Sequence, residues 1–218
     1  MSNSPLVTYK RISPHRTSPR NHKIDTITIH CIVGQWTAKQ GCDYFATTDR
    51  DCSANYVVGK DGSIGLSVEE KDRSWCSSNR DNDNRAITIE VASDTYSPYK
   101  VTDSAYKALI NLIVDICKRN NIKELKWKAD KSLIGQVDKQ NMTVHRWFKS
   151  TACPGDYLYN LHGQIAKEVN ARLKPETTTP KTLYRVQVGA YSDKTNADAM
   201  LKKLKAAGFD GFIVTSTK

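Results

Sequence analysis

Four side chains of this sequence carry the chemistry for a hydrolytic centre: His30, Glu90, His145 and Cys153. His145 stands in a short apolar run, Thr143 to Phe148, and Cys153 follows it in Cys153-Pro154-Gly155. A zinc ion with catalytic power takes three protein ligands and keeps a fourth position open for water. Two imidazoles and a thiolate could fill that set. Each residue alone has a blander reading. A strand histidine is more often a satisfied core or surface residue than a ligand, and a lone cysteine behaves as a small buried hydrophobe. Glu90 lies between Ile89 and Val91, where a carboxylate needs a partner or a task. It is either salt-bridged to one of the many lysines and arginines or a general base whose pKa is raised by partial burial. His15, His22 and His162 fall in the basic arm or on the last helix and are weaker candidates.

The elements that must position these residues can be read from periodicity. In residues 24–31, Ile27 and Ile29 alternate with Thr26, Thr28 and His30, the period of a half-buried strand. Residues 86–91 repeat the pattern, with Ile87, Ile89 and Val91 on one face and Thr88 and Glu90 on the other. Both chemical side chains therefore belong to polar strand faces. Thr37 caps a helix to about Thr47, and residues 55–68 form a hairpin turning at Asp61-Gly62. A long helix starts at Thr102 or Asp103 and runs through Asn120, with Tyr106, Leu109, Ile110, Ile113 and Cys117 on one stripe. TVHRWF (143–148) reads as a short strand, and a last helix runs from Asp156 to about Leu173. Strands interspersed with helices predict an α/β domain with a mixed central sheet. The polar stretch 126–140 predicts no element. Residues 174–182 are a Pro/Thr linker, and 183–218 read as one β-α-β unit with Ala197, Met200, Leu201 and Leu204 inward on its helix.

Composition narrows the function classes. The net charge of +10 is concentrated at the ends: residues 1–23 hold five basic residues and no acid, and the body 24–180 is close to neutral. A nucleic-acid binder would gather its charge along one helix or face, so no nucleic-acid partner is expected. Weak attraction to an anionic polymer and simple solubility both fit. No segment approaches the roughly 18 apolar residues of a membrane span, and the N-terminus lacks the apolar core of a secretory signal. We expect synthesis in the cytoplasm and no membrane insertion. The six cysteines form no CxxC pair, so free thiols are expected, with Cys42 and Cys52 close enough to pair in an oxidising compartment.

The stretches ITIHC (27–31), SANYVVGKDGSI (53–64), RSWCSSN (73–79), NRAITIEV (84–91) and TVHRWF with ACPGDYL (143–158) resemble the zinc-dependent N-acetylmuramoyl-L-alanine amidases of the type 2 class. That class includes phage endolysins and autolysins and shares its fold with peptidoglycan-recognition proteins. The resemblance covers about residues 25–173. It implies zinc as cofactor, His30, His145 and Cys153 as its ligands, and Glu90 as the general base that acts on a zinc-activated water. Many relatives carry a lysine two residues before the last ligand; Thr151 stands there, a hydroxyl able to donate to an oxyanion but without positive charge. Some relatives use a tyrosine close to the position of Tyr56, but the register places Ala54 there, and Tyr56 is not assigned. Trp75, Asn79 and Asn84 lie in loops that the resemblance brings to the stem-peptide groove, although a purely structural part fits them equally.

The tail, with VQVGAYS, is similar to half of a SPOR domain, a module that binds bacterial wall glycan. A full module repeats β-α-β twice, so a single repeat implies pairing of two tails into a homodimer, or packing on its own amidase domain. The expected partner is bacterial peptidoglycan. The leading expectation is an enzyme that cuts the amide between muramic acid and L-alanine and acts at the cell wall after release. A non-catalytic peptidoglycan-binding protein is the alternative, against which the presence of all four chemical side chains argues.

Overall fold

The computed structural model describes residues 2–174 and 186–215. The chain divides into two units, Met1–Pro175 and Glu176–Lys218. In the first, the N-terminal arm contributes β1 (Tyr9–Lys10) and β2 (Arg16–Thr17). Then come β3 (Thr26–Val33), α1 (Ala38–Thr47), β4 (Tyr56–Val58), β5 (Ile64–Leu66), β6 (Arg73–Ser74), α2 (Arg80–Arg85) and β7 (Ala86–Ser93). The long helix α3 (Asp103–Arg119), β8 (Met142–Thr143) and α4 (Gly155–Leu173) complete it. The main sheet has the order β1-β5-β4-β7-β3-β8. β4, β7, β3 and β8 are parallel neighbours, whereas β5 is antiparallel to β4 and β1 follows β5, so the sheet is mixed.

The alternation in β3 and β7 places Ile27, Ile29, Ile87 and Ile89 with Cys31 and Val91 in one core, closed by Leu109, Ile113 and Ile116 of α3 and by Leu158 and Ile165 of α4. On the opposite face Ile32 and Val57 meet Cys42 and Phe45 of α1. The α1 helix starts where a capping box predicts: Thr37 accepts from Gln40 N–H while the Gln40 side chain takes the Thr37 N–H. The expected strand at 143–148 is shorter than its pattern. Only Met142 and Thr143 pair, with Ile27 and Thr28, after which His145–Trp147 coil into one 3-10 turn closed by Phe148 N–H to His145 C=O. That turn lets Trp147 stack on Trp127, at 5.1 Å and 6° between ring planes.

The basic arm is absorbed by the domain. Lys10 pairs with Glu69, Arg11 with Asp43 and Arg16 with Asp72. Arg20 is buried and donates to the carbonyls of Glu70, Asp72, Asn84 and Ala86 at 2.7–3.0 Å. Burial lowers its pKa to about 10, and the fan of carbonyls compensates for lost hydration. Removing it strands those acceptors in the interior. Arg20→Ala should therefore lower the unfolding free energy by about 3 kcal/mol, read as a shift in the urea midpoint. A loss below about 1 kcal/mol would mean that water replaces the guanidinium.

In the second unit, α5 (Lys194–Ala206) is capped by Asp193 and stopped at Gly208, whose φ is +84°. The four side chains expected to face inward are half-buried, and no residue of α5 is buried. The flanking strands do not form among the described residues: Val186, Val188, Phe209, Phe212 and Val214 are exposed and belong to no strand. A strand exists only with a neighbour to receive its N–H and C=O groups, and among the described residues none is supplied. The linker beyond Lys174 and residues 183–185 lie outside the described residues.

Candidate metal centre

The parallel register of β3 and β7 sets His30 directly beside Glu90. Side chains paired in this way leave the sheet on the same face, here the polar one. His145 is delivered by the 3-10 turn after β8, the other neighbour of β3, and Cys153 by the loop that enters α4. That loop is tightly built. Gly155 has φ +78°, and a Cβ there would meet Tyr99 at 2.7 Å, so only glycine fits. The Cys153 Sγ lies 3.4 Å from His30 Nδ1, and the two imidazole rings are 5.1 Å apart. One ligand atom from each of His30, His145 and Cys153 falls within 4.8 Å of the others. With Zn–S near 2.3 Å and Zn–N near 2.0 Å, a tetrahedral site requires sulfur and nitrogen about 3.5 Å apart. The donor set and the spacing both fit zinc.

Burial drives the electrostatics. His30 is completely buried and its pKa is pushed well below 6.5, with His145 adding repulsion; the His145 pKa is lowered too, by burial. Both rings are therefore neutral, the form that ligates. The Cys153 thiol is raised by its hydrogen bond with Cys31 and then by burial, a direction that a cation at the site reverses. Glu90 Oε1 takes the Cys76 thiol at 3.8 Å, while Oε2 is shielded from solvent without a hydrogen-bond partner among the described residues. Burial pushes this carboxyl up to about 7, and the Cys76 hydrogen bond opposes the rise.

The folded protein thus holds a proton on Glu90 more tightly than the unfolded chain, whose glutamates titrate near 4.3. Stability from this residue is retained at low pH and lost as pH rises from about 4.5 to about 7. In zinc-free protein the stability of Glu90→Gln relative to wild type should accordingly rise by about 3 kcal/mol between pH ~4 and pH ~8. Urea unfolding across that range reads it; a flat difference contradicts the buried carboxyl.

A family model described as N-acetylmuramoyl-L-alanine amidase matches residues 20–156. The chain belongs to this family. A SPOR domain model matches residues 160–215, reaching back into α4 from the tail. Among solved structures, a selenomethionine derivative of AmpD aligns at 18% identity and TM-score 0.54, covering 78% of this chain and 99% of its own. The endolysin amidase LysCS of Clostridium intestinale aligns at 16% identity and TM-score 0.52, covering 79% and 98%. A mutant endolysin from Bacillus subtilis aligns at 17% and 0.51, covering 75% and 99%. At these identities the likeness is one of fold. No curated protein sequence matches the chain. The protein is a peptidoglycan amidase joined to a SPOR domain.

In the amidase, four of the sequence-derived candidates meet: His30, Glu90, His145 and Cys153. The others make contacts of their own. Thr151 is exposed and its Oγ1 accepts from Cys153 N–H at 3.3 Å. Trp75 donates its indole N–H to Thr17 and lies under Arg73. Asn79 caps α2 by accepting from Asn82 N–H. Asn84 is buried, accepting from Asn21 N–H and donating to the Arg80 carbonyl. Tyr56 is buried on the far face and donates to Glu70. All six cysteines are free. No described helix is long and apolar enough to cross a membrane.

Sequence reasoning included Cys76-Ser77-Ser78 in the stretch RSWCSSN but gave them no role, and they line this centre. Cys76 also forms a second cluster with His30 and Glu90, with ligand atoms within 4.8 Å. Small polar residues in a turn carry no periodic signal, and only the fold brings them to the histidines.

Proposed function

We propose that this amidase hydrolyses the amide between N-acetylmuramic acid and the L-alanine of the stem peptide, with zinc held by His30, His145 and Cys153 and Glu90 as general base. One observation carries the reading: an unpartnered, shielded carboxylate oxygen in register with a buried histidine that belongs to a three-ligand set. Zinc in such a site acidifies water, from a pKa near 15.7 to about 7, and polarises a carbonyl. The remaining work falls to the chain. Glu90 Oε2 takes the proton of the attacking water and returns one to the departing alanine nitrogen. The Thr151 hydroxyl, fixed beside Cys153 as acceptor of its N–H, keeps its own hydrogen to donate to the developing oxyanion. Burial of His30 in the sheet fixes its ring before substrate arrives.

Dialysis against a chelator tests the metal half of the proposal. Release of soluble fragments from cell walls should stop, and stoichiometric zinc, one ion per chain, should restore it. Undiminished release from metal-free protein would end the proposal.

For the second unit, we propose that residues 183–218 are a half-repeat of the wall-binding module, reached through a linker at 174–182, and that two copies complete one sheet. The exposed Val186, Val188, Phe209, Phe212 and Val214 support this, since they leave apolar side chains uncovered on both sides of α5 in sequence. Light scattering at micromolar concentration should give a dimer for the full chain; a monomer there contradicts the pairing.

A further inference from the structure

Three successive residues between β6 and α2 each touch a different member of the centre. Cys76 Sγ donates to Glu90, Ser77 Oγ lies 3.3 Å from His30 Nε2, and Ser78 Oγ lies 3.4 Å from His145 Nε2. In both rings the serine meets Nε2, which leaves Nδ1 for the metal; in His30, Nδ1 is already turned to Cys153. A ring nitrogen that binds metal offers a lone pair, so the hydrogen of a neutral imidazole must sit on the other nitrogen. Each serine oxygen is placed to accept it.

Buried side chains hold Cys76 and Ser77 in place. The buried Asp83 carboxylate accepts the N–H groups of Cys76 and Ser77, both at 3.0 Å. Asn82, also buried, donates to Ser77 Oγ at 3.0 Å and to Thr28 at 3.1 Å, and accepts from Thr143 at 2.8 Å. Thr28 and Thr143 each precede a ligand by two residues, His30 on β3 and His145 after β8. A single amide therefore ties the loop to both strands that deliver histidines. Ser78 is held at φ +55°, the left-handed region that side chains other than glycine and asparagine rarely adopt. That backbone conformation accompanies a hydroxyl set against His145, the pattern expected where local geometry serves a site.

We infer that Ser77 and Ser78 are positioning residues of the metal centre, fixing the Nε2–H tautomer of His30 and His145 so that both present Nδ1 to a divalent zinc ion. The inference rests on the ligand assignment proposed above. Partners of this kind contribute ~10–100-fold to metal affinity in other sites.

The test compares zinc dissociation constants of the full chain, by competition with a chromophoric chelator, for wild type, Ser77→Ala and Ser78→Gly. The imidazole Nε2–H resonances of the zinc-loaded proteins are followed alongside. Glycine suits φ +55°, so Ser78→Gly removes the hydroxyl without adding strain. Each variant should bind zinc ~10–100-fold more weakly, with faster solvent exchange of the Nε2–H in the ring it no longer holds. If Ser77→Ala fails to fold, Ser78→Gly decides. Wild-type affinity in the variants, with unchanged Nε2–H exchange, overturns the inference and leaves the ligand assignment standing. Absence of zinc binding in the wild type overturns both.

Discussion

Glu90→Gln should lower kcat/KM on cell walls by ~10²–10⁴ while zinc content stays at the wild-type level. Glutamine keeps the shape and the acceptor oxygen that faces Cys76, so the pocket survives. What is lost is the ability to take a proton and give it back. Because Oε2 has no partner among the described residues, no protein hydrogen bond is broken by the exchange, and the change isolates the proton transfer. Zinc-loaded protein assayed for released wall fragments over a range of pH reads the effect. Loss of zinc together with activity would assign Glu90 to the metal rather than to the proton, through the cluster it forms with His30 and Cys76.

The second large effect is expected at Cys153. Serine in its place is nearly isosteric and keeps the loop, which is fixed by Gly155 and by Arg146 N–H to the Cys153 carbonyl. A hydroxyl does not ionise as a thiol does, and it is a poor ligand for zinc. Zinc affinity should fall by more than the ~100-fold upper end of an outer-partner change, and wall hydrolysis should fall to background. The zinc-free variant should melt near the temperature of zinc-free wild type, since the side chain sits at the core's margin. Full activity in Cys153→Ser would remove the cysteine from the centre.

Much of this centre is legible in the sequence, and the limits have physical causes. Period-two alternation states that His30 and Glu90 face away from the strand isoleucines, and Ile27, Ile29, Ile87 and Ile89 pack into one core that holds neither; β3, expected to be half-buried, is covered on both faces. Alternation cannot state that β3 and β7 are neighbours in a register pairing the two, because register is a tertiary property. The strand expected at 143–148 stops at Thr143, since a pattern of apolar residues does not distinguish a strand end from a turn that turns Trp147 onto Trp127. Ser77 and Ser78 carry no periodic signal and, although they lie in RSWCSSN, no sign of a role, as hydroxyls in a loop resemble any solvated turn until the fold closes around them. The tail shows the opposite failure. Its alternation is sound, yet residues 186–192 form no strand, because local pattern supplies a face and not the partner strand it needs.

The account stands on which bond is cut, and product chemistry on purified walls reads that directly. Digested walls are assayed for new amino groups on L-alanine and for new reducing sugar ends. Hydrolysis at this centre predicts alanine amino groups without reducing ends, absent in Glu90→Gln and after chelation. Reducing ends, or wall binding with neither product, would contradict it.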